Sequence, residues 1–231
     1  MALAVMSAGA AKLLVTRLRP AFEVETGYDL DAVFGAAGTL HDEFVAGHPC
    51  DVLILSQALI DGLVGDGKLV QPSVAALGLV RTALAVGADD PAPDVSTPDA
   101  VKATLLASRG IYLGDPMKST GARHFMSVLD RLQIRDQVTP YLHTYDAGTT
   151  AMEHLAMSDE TGRIGCTQTT EVRDTQGVRL IGSLPAELGL ATTYTAAVTS
   201  NTAHQNAAQH LVSMLTTESS YGLRRECGFE F

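Results

Sequence analysis

Six short runs in the chain set small residues beside hydroxyls or polar groups: SAGA at 7–10, GAAGT at 35–39, SQ at 56–57, DPMKSTG at 115–121, DAGTT at 146–150 and TQTT at 167–170. Glycine and alanine let a ligand reach the main chain. Where such a run opens a helix, the first N–H groups are unpaired and the helix dipole favours negative charge. Hydroxyls add donors without adding formal charge. Any one run is read as well by an ordinary N-cap, which Ser and Thr supply to any helix. The six together point to a pocket for a small anion. The candidates are Ser7, Gly9, Ala10, Ala37, Gly38, Thr39 and Ser56 early in the chain, and Lys118, Ser119, Thr120, Thr149 and Gln168 later.

Lys118 is the one basic residue in these runs, placed either to meet a carboxylate or oxyanion or to sit solvated in a loop. Asp115, ahead of Pro116, fits a turn or cap. Arg123 and His124 fall inside the following helix. His41, His48, His143 and His154 are scattered, and His204 and His210 lie on a polar terminal helix, so no metal-ligand spacing emerges. No GxSxG elbow, phosphate-binding Walker loop or GxGxxG fingerprint is present. Acid–base candidates are isolated residues, so neither a cofactor nor a metal is expected, and no catalytic set stands out.

Bulk composition narrows the partners. The 231 residues carry 26 Asp and Glu against 16 Lys and Arg, a formal charge of −10. The basic residues are dispersed, which argues against tracking a nucleic-acid backbone. With 46% hydrophobic residues, 5% aromatics and no Trp, the core must be aliphatic, as suits layered α/β packing. Cys50, Cys166 and Cys227 lack CxxC spacing and read as buried thiols. No run approaches the roughly 20 apolar residues of a membrane helix. Met1 leads into apolar sequence with no basic leader. The expectation is therefore a periplasmic protein if a signal was removed, and a cytoplasmic one if Met1 is the native start.

The elements that must position the six runs alternate along the chain. Residues 3–7 read as a buried strand and 10–26 as a helix stopped at Gly27. YDLDAVFG alternates as a half-buried strand, whereas DVLILS is a continuous apolar run suited to a central parallel strand. LGLVRTALAVGADD reads as a long strand leaving the first unit. A second α/β series follows, with strands at GIYLGD, PYLHTYD, RIGCTQ and VRLIGSLP, before TTYTAAVTS returns and two helices close the chain. The expected organisation is a lobe of residues 1–80 plus 190–231 and an inserted lobe of 81–189. Each would be a doubly wound sheet, with the ligand cleft between them.

The stretches VMSAGAAKLL, AGHPCDVLILSQALIDGLVGDGKLV, GDPMKSTGARHFMSVLDRLQI, IGCTQTTEV and GVRLIGSLPAEL resemble, in order, those of the molybdate-binding-protein-like type II periplasmic solute-binding family. The resemblance implies a two-lobed fold holding a small oxyanion by hydroxyls and backbone N–H groups, and a role as the substrate-binding component of an ABC transporter. Carried over, the ligands would be Ser7 with Ala10, Gly38 with Thr39, then Thr120, Thr149 and residue 168. Gln168 stands where the molybdate binders have tyrosine, and Ala10 where a serine would fall. These departures leave an organic carboxylate open beside molybdate. Relatives of this general type also include aconitate isomerase, whose proton shift would here fall to Lys118, Tyr194 or His124. A cytoplasmic anion sensor is the third reading.

Overall fold

The computed structural model describes residues 1–231, which divide into two compact units: Met1–Val80 with Thr192–Phe231, and Arg81–Ala191. The first unit opens with β1 (Ala2–Ala8), a 3-10 turn at Gly9–Ala11 and α1 (Lys12–Thr26). Gly27 ends α1 in the left-handed region (φ 70°), its N–H donating to the Glu23 carbonyl at 2.9 Å. Then come β2 (Asp29–Gly35), α2 (Ala37–Val45), β3 (Val52–Ser56) and α3 (Gln57–Gly65). β4 (Ala75–Gly87) starts in this unit and ends in the second.

The second unit continues with α4 (Pro98–Ala107), β5 (Gly110–Gly114), α5 (Thr120–Arg131), the single-turn α6 (Arg135–Val138) and β6 (Leu142–Tyr145). It is completed by α7 (Gly148–Ala156), β7 (Arg163–Gln168), α8 (Thr169–Asp174) and β8 (Val178–Ser183). β9 (Ala191–Val198), α9 (Gln205–Thr216) and α10 (Tyr221–Glu226) finish the first unit.

In unit 1 the strands run in the order β2-β1-β3-β9, parallel except for β9, which is antiparallel to β3. Every residue of β3 is buried, as its apolar run Val52–Leu55 requires, while β2 at the edge alternates in exposure. Phe22, Leu14, Ile54, Leu55, Ile60 and Leu211 anchor the core. Burying each such side chain stabilises by roughly 1.5–3 kcal/mol.

In unit 2, β5 lies between β6 and β7, all parallel, and β4 is antiparallel to both β7 and β8. Leu84, Ile111, Leu113 and Cys166 pack on one face with Phe125, Val128 and Leu129 of α5. Tyr112 and Ala85 belong to a separate core with Met152 and Leu155 of α7 and Val172 of α8. The helix α5 is amphipathic, with Ala122, Phe125, Val128 and Leu129 buried at helical spacing.

Three local features depart from expectation. The first helix begins at Lys12, because Gly9–Ala11 form the tighter 3-10 turn. His204 lies just outside the penultimate helix, as the N-cap of Gln205–Thr216, because the Thr202 hydroxyl donates to Asp51 and also accepts the His204 N–H at 2.9 Å. Residues 169–174 form the short helix α8, which no periodicity signalled. Cys166 and Cys227 are buried, whereas Cys50 is only half-buried and donates its S–H to the Val52 carbonyl. No helix is long and apolar enough to cross a membrane.

Candidate functional site: the strand-end rims

In unit 1 the carboxyl ends of β1 and β2 lie side by side, with Ala8 opposite Gly35, and Ser7 pairs with Ile54 on β3. Ser7 is wholly buried, and its hydroxyl turns onto its own backbone, donating to the Ala8 carbonyl at 3.1 Å. Three helical segments then begin with no side-chain cap: Gly9 after Ala8, Ala37 after Ala36, and Gln57 after Ser56. The N-cap reading therefore fails for Ser56, whose hydroxyl makes no cap bond. Gly9 and Ala10 lie in the 3-10 turn, and Gly38 and Thr39 in the first turn of α2, half-buried. Tyr194 is buried opposite Ser56 in the β3–β9 register. The adjacent Thr195 donates its hydroxyl to Gln57, whose amide donates in turn to Asp61 at 2.6 Å.

Unit 2 builds its rim differently. Ser119 is a true N-cap, accepting the Ala122 N–H at 3.4 Å. Ahead of it the loop is tied down: Asp115 accepts the Met117 N–H at 2.8 Å, and its carbonyl accepts the N–H groups of Lys118 and Ser119. Arg123 reaches back from α5 to donate to the carbonyls of Pro116 and Met117. Asp115 is thus a turn former and Arg123 a brace. His124 uses Nε2 on the Leu188 carbonyl at 2.7 Å. Lys118 sits half-buried in the braced loop, and Thr120 opens α5.

Two glycines let the three helix starts of this unit crowd together. A Cβ on Gly114 would lie 3.0 Å from the Gly148 nitrogen and 3.1 Å from the Ser119 Cβ. A Cβ on Gly148 would collide with the Thr167 hydroxyl and come within 2.6 Å of a Glu171 carboxyl oxygen. Gln168 joins the same cluster, its Nε2 lying 3.5 Å from the position of a Cβ on Gly121. Thr149, half-buried, is the second residue of α7, which has no side-chain cap. Ser119, Thr120, Gly148, Thr149 and Gln168 thus form one neighbourhood.

Glu171 was not among the sequence candidates. It is buried, accepts the Thr167 hydroxyl and the Gln168 N–H, and completes a reciprocal capping box with the Gln168 side chain. The signal was available: a polar residue followed three positions later by Glu is the spacing of a capping box. Thr169 and Thr170 are also buried, with hydroxyls that meet no hydrogen-bond partner.

Residues 3–230 match the family model described as "Bacterial extracellular solute-binding protein", and the chain belongs to that family. Among solved structures it is similar to the periplasmic molybdate-binding protein of Azotobacter vinelandii, with TM-score 0.82 and 17% identity over 99% of each chain. It is also similar to the sulfate-binding protein SubI of Mycobacterium tuberculosis, with TM-score 0.71 and 16% identity over 99% of this chain and 86% of that one. Both likenesses concern the fold. Among curated proteins, an aconitate isomerase from a Pseudomonas species is 25% identical over 225 residues, spanning 94% of this chain and 83% of that protein.

Proposed function

We propose that the chain binds a small oxyanion or carboxylate at its strand-end rims, serving as the substrate-binding component of an ABC-type transporter. The observation that carries this reading is the unit 2 cluster, where the starts of α5, α7 and α8 meet around Gly114 and Gly148 with hydroxyl and amide side chains. Oriented N–H groups hold negative charge without a cationic side chain, which suits a protein of net charge −10. Ser7, Gly9, Ala10, Ala37, Gly38, Thr39 and Ser56 supply the unit 1 contacts. Lys118, Ser119, Thr120, Thr149 and Gln168 supply those of unit 2. Periplasmic residence goes with this role, and molybdate- and sulfate-binding proteins of the same fold support the ligand class.

The test is a thermal-midpoint screen with molybdate, tungstate, sulfate and di- and tricarboxylates. A ligand at about a hundred times its Kd stabilises the folded state by roughly 2.7 kcal/mol. One class of anion is expected to raise the midpoint, and Thr39→Ala and Thr120→Ala to reduce the rise. No shift with any anion at millimolar concentration would defeat the reading.

The aconitate isomerase relative favours a second reading, the proton shift of an unsaturated carboxylate. Such chemistry needs a group that takes and returns a proton beside a stabilised enolate. Lys118, Tyr194 and His124 are its candidates, and the Nε2 of His124 is already engaged by Leu188. Following aconitate by proton NMR in deuterated solvent decides it: exchange or isomer formation supports the enzyme, and neither supports a binding protein.

A further inference from the structure

Unit 2 leaves one polar group unsatisfied in a telling place. Thr82, on β4, is fully buried, and its hydroxyl meets no hydrogen-bond partner. Its backbone is fully used: the N–H donates to the Leu190 carbonyl, and the carbonyl accepts the Leu184 N–H, each at 3.1 Å. An orphaned buried hydroxyl is destabilising, and a valine would fill the same volume without that cost.

The register shows what the hydroxyl stands beside. Thr82 pairs directly with Gln168 across β4 and β7, and directly opposed residues share one face of a sheet. Two positions along each strand, Leu84 and Cys166 belong to the core packed by α5. Strand alternation therefore sets Thr82 and Gln168 on the α5 side. The Gln168 side chain takes part in the capping box with Glu171. Its –NH2 lies at the start of α5, with Nε2 3.5 Å from the position of a Cβ on Gly121. The Thr82 O–H, the Gln168 amide and the first turn of α5 are three uncharged donor groups in one corner.

We propose that the Thr82 hydroxyl is a ligand-contacting group, which with the Gln168 amide donates to an oxygen of the bound anion at the start of α5. The proposal rests on the anion-binding reading above and names a contact beyond the six sequence runs. Its orphaned state is then a cost that ligand binding removes.

The experiment uses the full chain with sodium molybdate, sodium sulfate and sodium trans-aconitate at 5 mM. Whichever shifts the parent's midpoint most is then titrated calorimetrically against the parent, Thr82→Val and Thr82→Ser. Loss of one buried hydrogen bond to a charged ligand predicts about a tenfold or greater loss of affinity in Thr82→Val. Thr82→Ser should stay within about threefold, since it keeps the hydroxyl. The unliganded midpoint of Thr82→Val should be unchanged or raised. Equal affinity in parent and Thr82→Val overturns the proposal while leaving the anion-binding reading intact. A lowered unliganded midpoint in Thr82→Val, or equal weakening in Thr82→Ser, also overturns it, because the residue then acts through packing. A parent that neither these three salts nor the other anions of the screen above shift or titrate defeats the anion-binding reading and this proposal together.

Discussion

The two rims contrast in how they are held. In unit 1 the segments begin after Ala8, Ala36 and Ser56 with no side-chain cap, on strands paired within the buried sheet. In unit 2 polar side chains do the fixing: Asp115 and Arg123 brace a loop, Ser119 caps α5, and Gln168 and Glu171 cap each other. The first rim inherits its geometry from core packing. The second depends on individual hydrogen bonds, so single polar substitutions should hurt it more.

The contrast can be broken most directly at Gly148. Gly148→Ala drives a methyl into the Thr167 hydroxyl and Glu171, and overpacking of this kind costs about 3 kcal/mol. A urea unfolding curve should show that loss, and near-parent stability would mean the close approach is dispensable. Next in size is Glu171→Ala, which strips the acceptor from the Thr167 hydroxyl and the Gln168 N–H. A destabilisation of about 2–3 kcal/mol is expected by chemical denaturation. The matched change in unit 1, Gln57→Ala, removes a partner of Thr195 and should cost about half as much.

Each unit also carries a thiol with a raised pKa. Burial pushes Cys50 up to about 12, and burial raises Cys166 as well. Both keep their proton in the folded state after the unfolded chain, with thiol pKa near 8.5, has begun to lose it. Their contribution is complete below about pH 8.5 and is lost as pH rises toward the folded values. The slope is about 1.4 kcal/mol per pH unit for each thiol. Stability measured between pH 9 and 11 should fall less steeply in Cys50→Ala than in the parent. An identical slope would show that Cys50 ionises alike in both states.

The smallest effect sharpens the comparison best. Ser119→Ala removes a real N-cap and should cost about 1 kcal/mol, whereas Ser56→Ala removes a hydroxyl that caps nothing and should stay within about 0.5 kcal/mol. Thermal midpoints of the two variants decide it, and equal losses would erase the distinction between the rims.

Much of the α/β architecture was legible because it rests on local pattern. The apolar run Val52–Leu55 could only be an interior strand, and Gly27 could stop a helix because it alone enters the left-handed region without strain. The short helix α8 was not legible. Its six residues are too few to show a period, and it is held by the Gln168–Glu171 exchange and not by an apolar stripe. At the rims, spacing alone could not separate a capping serine from an idle one: Ser119 and Ser56 both precede helices, and only one bonds its helix.

The sequence by itself determined the alternation of strands and helices, the aliphatic core and the places where small residues and hydroxyls open helices. Those follow from side-chain period and backbone preference, which act over a few residues. Only the tertiary structure decided which of those openings become neighbours. Thr82 lies 86 positions before Gln168, and nothing local marks it. Strand register sets the two side by side, because pairing across a sheet is indifferent to separation along the chain. The same register left its hydroxyl without a protein partner.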